Sequence, residues 1–249
     1  MTLIDPFAGL SAVLSAAPVH VDPHRQARKG VPEIVYAAGK PHVLTLQAVR
    51  DLLARQPSGR VMVSRASPEA VDLLRSELEP TGVRLQTAPS GATLLVARPD
   101  ATEPRTTGAV TGLLTAGASD APAADEAAMV MREMGCTVIR NDDVGVAGLH
   151  RLEAPLRTMR EAGVDAIVVA AGMDGALPSV VAGLVEVPVV GLPTSVGYGL
   201  GGSGVAALLS MLQTCAPGLV VVNIDNGVGA GATAALFANR VAQARAGQS

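Results

Sequence analysis

The chain has 249 residues, 49% of them hydrophobic and only 16% charged, with a net charge of −3. That is enough apolar material for one large or two modest cores, and the acidic balance leaves no basic footprint for nucleic acid. Aromatic residues are nearly absent (Phe7, Tyr36, Tyr198 and Phe237, with no Trp), which argues against a stacking platform for single-stranded nucleic acid.

The first stretch, to about residue 45, is irregular and polar and contains "VDPHRQARKGVPEIVYAAGK" (21–40). Its Arg25, Arg28, Lys29 and Lys40 concentrate positive charge suited to an anionic substrate, or form a merely solvated segment. A small βαββ-like region follows. "RVMVSRA" (60–66) reads as a strand, "PEAVDLLRSEL" (68–78) as a helix starting at Pro68, and "VRLQTA" (83–88) and "TLLVAR" (93–98) as strands. The polar segment "RPDATEPRTTG" (98–108) carries two prolines and reads as a linker. Two domains are expected, a small α+β domain over 1–103 and a larger one over 104–249.

After the linker, strands and helices alternate regularly. The strands are "AVTGLLTAG", "CTVIRND", "DAIVVAAG", "VPVVGLP" and "LVVVNID". The helices are "DAPAADEAAMVMREMG", "GLHRLEAPLRTMREAG", "ALPSVVAGLV", "GSGVAALLSMLQTCA" and "ATAALFANRVAQARA". Five apolar strands separated by helices predict an α/β fold with a doubly wound, parallel, five-stranded sheet. Ligands bind such sheets outside the carboxyl ends of the strands. The loops expected there are rich in Gly, Asp and small residues, which makes that edge the candidate site.

Gly197, Gly199 and Gly202 have the spacing G-x-G-x-x-G between a strand and a helix. This suits an anion at a helix N-terminus, and Asp225 ends the next strand where a ribose-binding acid would stand. The motif follows the fourth strand rather than the first, and Gly227-x-Gly229 follows closely, so a hydride-transfer site is disfavoured. Asp174, between Gly172-Met173 and Gly175, is either a helix N-cap or an acid/base group. "SDAP" makes Asp120 an N-cap with Pro in the first turn. Arg151 beside His150 either holds a phosphate or is solvated. Cys215, at the end of a helix before Pro217-Gly218, is either a nucleophile or a small buried hydrophobe; Cys136 at a strand start is structural. A metal at His20 and His24 is a minor reading, and no metal site is assigned. No apolar run reaches the roughly 18–20 residues of a membrane span, no signal peptide is evident, and two cysteines make no disulfide framework, so a reducing cytoplasm is expected.

The stretches "DPHRQARKGVPEIVYAAGK" (22–40), "TAGASDAPAADEAA" (115–128), "DVGVAGLHRL" (143–152), "AAGMDGALPSVVAGLVEVPVVGLPTSVGYG" (170–199) and "CAPGLVVVNIDNGVGAG" (215–231) resemble the LarB family. That family makes the pyridinium precursor of the nickel-pincer nucleotide cofactor. The second domain also resembles PurE, the aminoimidazole-ribonucleotide carboxylase/mutase family, whose sheet is flavodoxin-like. Residues 45–105 are largely outside the resemblance.

The resemblance implies a substrate, nicotinic acid adenine dinucleotide, carboxylated at ring position 5 by CO2 or bicarbonate. Cleavage of its phosphoanhydride then leaves pyridinium-3,5-biscarboxylic acid mononucleotide and AMP. It also implies catalytic roles for Cys215, as a thiolate nucleophile, and for Asp174, which takes the ring proton. Ser119, Asp120 and Arg151 would grip the mononucleotide. Gly172, Met173, Ser195, Gly197, Tyr198, Gly199, Asp225 and Asn226 would line the rest of the substrate site. The sequence departs from PurE where that family has a catalytic His (Ala176 here) and where it has the first Ser of its phosphate loop (Gly117 here). No cofactor is expected to be tightly bound; Mg2+ on the phosphates is compatible with the chemistry, without a clear ligand set. A homo-oligomer is expected from the low charge and from apolar helices such as "VAALLSMLQ", an octamer or a divisor of it as in PurE. The alternatives are an aminoimidazole-ribonucleotide carboxylase or mutase, and a non-catalytic module binding NAD-like nucleotides.

Overall fold

A computed structural model describes residues 19–247, so the opening of the polar N-terminal stretch lies outside the described residues. The chain divides into two units, Met1–Glu103 and Pro104–Ser249.

The first unit contains α1 (Arg25–Lys29), β1 (Ile34–Tyr36), α2 (His42–Arg55), β2 (Arg60–Ser64), α3 (Pro68–Leu78), β3 (Arg84–Thr87) and β4 (Leu94–Ala97). Its sheet runs β1-β2-β4-β3, with β1 and β2 parallel and the other neighbours antiparallel. α3 begins where the sequence predicts, because the Ser67 hydroxyl accepts the Ala70 N–H at 3.2 Å and Pro68 opens the first turn. The βαββ expectation holds as β2-α3-β3-β4, and the unit adds to it: β1 and the first turn of α2 lie inside the stretch read as irregular. β1 is three residues long, too short to display alternation. α2 starts behind Pro41 without a side-chain cap, yet it buries Thr45, Leu46, Ala48, Val49, Leu52 and Leu53 at helical spacing.

The basic segment is also less bare than its composition implies. Arg25 pairs with Glu33 at 2.7 Å, and Arg28 pairs with Asp22. Two of its four cations are therefore neutralised within the segment.

The second unit contains β5 (Val110–Thr115), α4 (Ala121–Glu133), β6 (Thr137–Asn141), α5 (His150–Glu161), β7 (Ala166–Ala171), α6 (Leu177–Ala182), β8 (Val189–Pro193), α7 (Val205–Leu212), β9 (Leu219–Val221) and α8 (Gly227–Ala246). The sheet order is β6-β5-β7-β8-β9 and every pair is parallel. β7 and β8 are buried along their whole length and β5 nearly so, which is why they read as uninterrupted apolar runs. Helices α5, α6 and α7 contribute Leu152, Met159, Leu177, Val181, Ala207 and Met211 to one apolar cluster with Ile167, Val169 and Val189. α4 and α8 pack on each other and on the strands.

Three boundaries differ from the sequence reading. α8 starts at Gly227 rather than Ala232, so Gly227-x-Gly229 is a first helical turn and not a phosphate loop. Those glycines serve close packing: a Cβ on Gly227 would lie 2.1 Å from the Ala123 carbonyl oxygen, and one on Gly231 2.5 Å from that of Ala127. β9 stops at Val221, because the Asn223 side chain accepts the Ile224 N–H and Asp225 adopts φ +57°. α7 stops at Leu212, which puts Cys215 in the following loop and not on the helix.

Candidate active site

The spatial order places the second strand of the unit outside the first and the remaining three on its other side. The winding direction therefore switches between β5 and β7, and sheets of this kind take their ligands outside the carboxyl ends at such a switch. The turns after β5, β7, β8 and β9 meet around this point.

Asp120 ties three of them together. Its carboxylate accepts the Thr194 hydroxyl at 2.6 Å and the Gly117 N–H at 2.8 Å, and the Gly172 N–H also reaches it. The residue directly precedes α4, but its side chain does not cap that helix. The expected N-cap is thus replaced by a cross-loop tie. Asp120 is only 3% exposed; burial raises its pKa above the ordinary 3.8 against the pull of the three hydrogen bonds, and Asp225 pushes the same way. Folded Asp120 consequently holds its proton more tightly than the unfolded chain does. Its contribution to stability is full below 3.8 and is lost as pH rises through the raised value. The urea stability of the wild type relative to Asp120→Asn should therefore fall as pH rises through that window. A difference independent of pH would refute the shift.

Gly172 leaves β7 directly under the β8 turn: a Cβ there would sit 2.1 Å from the Val196 carbonyl oxygen, to which the Met173 N–H donates at 2.8 Å. Met173 then turns outward with φ +49°, and Asp174 is exposed. α6 is preceded by Ala176, so Asp174 is no helix cap. Among the described residues its carboxylate has no hydrogen-bond or ion-pair partner.

After β8, the Ser195 N–H donates to Asp225 at 2.8 Å, so Asp225 holds this loop to the β9 turn. Gly197, Tyr198 and Gly199 project into solvent, with Tyr198 83% exposed. A single 3-10 turn, Gly199–Gly201, separates them from α7. Asn226 caps α8 by accepting the Gly229 N–H at 2.8 Å. Ser119 is exposed in the turn after β5. Arg151, in the first turn of α5, pairs with Asp143 at 2.7 Å. Beneath that pair Arg140 bridges Asp142 and Asp125 at 2.9 and 2.5 Å, and the Thr115 hydroxyl donates to Asp142.

Thr194, Asp143 and the Thr115–Asp142–Arg140 chain were missed by sequence reasoning. Thr115 and Thr194 could have been flagged as hydroxyls ending otherwise apolar strands.

Twelve of the thirteen expected site residues thus lie at one sheet edge, eleven in its turns and Arg151 at the start of α5. Cys215 does not. It is exposed in the loop between α7 and β9, and in that loop the Gly218 carbonyl accepts the N–H of Val189, the first residue of β8. That is the amino-terminal edge of the sheet. Cys136 is buried, which pushes its thiol up to about 11, in keeping with a packing role. The described residues offer no ready-made Mg2+ cage, since no three His, Cys, Asp or Glu side chains gather as ligands. Among them no helix is long and apolar enough to cross a membrane.

Comparison with known proteins bears on the same elements. Residues 110–248 match the AIR carboxylase family model, and residues 14–95 match the LarB/PurE-like N-terminal domain. An uncharacterized protein of Methanocaldococcus jannaschii is 41% identical over 221 residues, a match that covers 88% of this chain and 83% of that one. With a PurE-like sheet behind a LarB-type N-terminal domain, the chain belongs to the LarB-like members of the PurE-like carboxylase family.

Proposed function

We propose that the protein carboxylates the pyridinium ring of nicotinic acid adenine dinucleotide at position 5 and cleaves its phosphoanhydride, as a pyridinium-3,5-biscarboxylic acid mononucleotide synthase. The observation that carries this reading is the turn after β7, Gly172-Met173-Asp174-Gly175-Ala176. It presents an exposed carboxylate and carries Ala176 where the aminoimidazole enzymes have their catalytic imidazole.

A pyridinium ring is electron-poor and its carbon 5 does not attack CO2. Addition of the Cys215 thiolate to carbon 4 makes a dihydropyridine in which carbon 5 is the nucleophilic end of an enamine. Carbon 5 forms its bond to CO2 and the C=O π pair moves to oxygen. Asp174 then takes the proton from carbon 5, the ring pair returns, and the carbon–sulfur bond breaks to release the thiolate. Water enters at the phosphoanhydride, giving the mononucleotide and AMP. The carboxylates of Asp174 and Asp225 suit a cationic ring, while Ser119 and the Arg151 guanidinium suit its phosphate.

The test is mass spectrometry of products from nicotinic acid adenine dinucleotide with labelled bicarbonate. We expect AMP and a mononucleotide carrying one labelled carboxyl group. Turnover of aminoimidazole ribonucleotide alone would establish the purine-type reaction instead.

A further inference from the structure

We infer that Tyr198 is a charge-reading lid: its ring closes face-on over the oxidised pyridinium of a bound dinucleotide, beside Asp174, and admits the cationic ring in preference to the neutral, reduced one. This rests on the reading of the strand-end edge as the site of a pyridinium nucleotide.

The sequence of the second unit has only two aromatic residues, Tyr198 and Phe237. Phe237 lies in the middle of α8, whereas Tyr198 is held 83% exposed in the turn after β8. That turn arches over Met173. A Cβ on Gly197 would lie 3.5 Å from the Met173 Cα and Sδ, and one on Gly201 3.8 Å from the Met173 carbonyl oxygen. Tyr198 thus rides on a bridge whose two feet stand on Met173, and the next residue along from Met173 is the exposed Asp174. Both ends of the bridge are fixed. The Val196 carbonyl accepts the Met173 N–H at 2.8 Å, and a Cβ on Gly204 would meet the Thr194 carbonyl oxygen at 2.8 Å. Between these anchors four of the seven residues 197–203 are glycine, and Gly199 beside the ring takes φ +73°. Such a segment can swing its one ring inward while its anchors hold.

The surroundings select the charge of what the ring covers. No charged residue occurs between Glu186 and Asp225, so the run that carries Tyr198 supplies no cation of its own. Arg140 and Arg151 belong to β6 and to the start of α5, and each is paired with a carboxylate. Around Tyr198 stand the half-exposed Met173 thioether and the Asp174 carboxylate. Aromatic face, sulfur and carboxylate all attract a flat cation. Neutral adenine draws on fewer of them. A dihydropyridine has lost the positive charge and forfeits the pull of both the ring face and the carboxylate, while its phosphates bind as before. The preference has a chemical use. A ring already reduced carries its hydride at carbon 4 and offers no electrophilic carbon to a thiolate, so a lid that reads charge keeps the site free of a dinucleotide that cannot react.

The test compares binding of the oxidised and reduced forms of NAD to the full chain carrying Cys215→Ala, so that no covalent step intervenes. The oxidised form should bind more tightly, by roughly tenfold. Tyr198→Leu should erase most of that preference by weakening the oxidised form alone, and Tyr198→Phe should keep it. Tyr198 is exposed, so neither change threatens the fold. A Tyr198→Leu chain with the preference intact would overturn the lid and leave the substrate reading standing; failure of both forms to bind would overturn the substrate reading and the lid with it. Fluorescence gives a second readout, because the chain has two tyrosines and no tryptophan. With Tyr36→Phe in place, Tyr198 is the one remaining tyrosine. Nicotinamide mononucleotide should quench its emission and AMP should not. Quenching by AMP alone would put adenine under the ring and refute the inference.

Discussion

Cys215→Ala is expected to abolish carboxylation while leaving the fold and substrate binding in place. Cys215 is exposed, so the truncation should change stability by no more than about 0.5 kcal/mol. Binding draws on phosphate contacts elsewhere and should persist. Without the thiolate the ring never becomes an enamine, and the remaining groups cannot make carbon 5 attack CO2. The wild type should in addition give new dihydropyridine-type absorbance with NAD-like pyridinium compounds, and the variant should not. Full product formation by the variant, followed by mass spectrometry, would end the covalent mechanism.

Asp174→Asn should lower the carboxylation rate by about 10²–10⁴, the usual cost of removing a general base. The side chain is exposed and does not cap α6, so the amide can be accommodated without unfolding. The loss should fall on kcat, with KM much less affected, because Asp174 acts after the substrate is bound. Steady-state kinetics on the folded variant decide the matter: a near-normal kcat would reduce Asp174 to a turn residue.

The five strands of the larger unit could be read because β5, β7 and β8 are buried and therefore continuously apolar. α3 could be read because Ser67-Pro68 is a start signal that needs no tertiary contact. β1 and α2 escaped because one is only three residues long and the other lacks a polar cap. The early start of α8 escaped for a different reason. Gly227 and Gly231 weaken a helix locally, and only the approach of α4 makes them necessary. The same difference runs through the site. The strand-end turns announce themselves by Gly and Asp content, and the sheet topology then gathers them. The Asp120–Thr194 bond joins residues far apart in sequence, and the opposite-edge position of Cys215 follows from the run of α7. Neither has a local signature.

The tie made by Asp120 has a consequence for association. The turns after β5, β7 and β8 are fastened to one buried carboxylate before any ligand arrives. Their conformational entropy is given up when the chain folds and is not charged again to binding. The exposed segment from Gly197 to Gly202 has no such fastening to Asp120, and five of its residues are Gly or Leu, with positive φ at Gly197, Gly199 and Gly202. If the proposed substrate binds at this edge, the ordering left for it to impose falls on that loop more than on the turns beneath it.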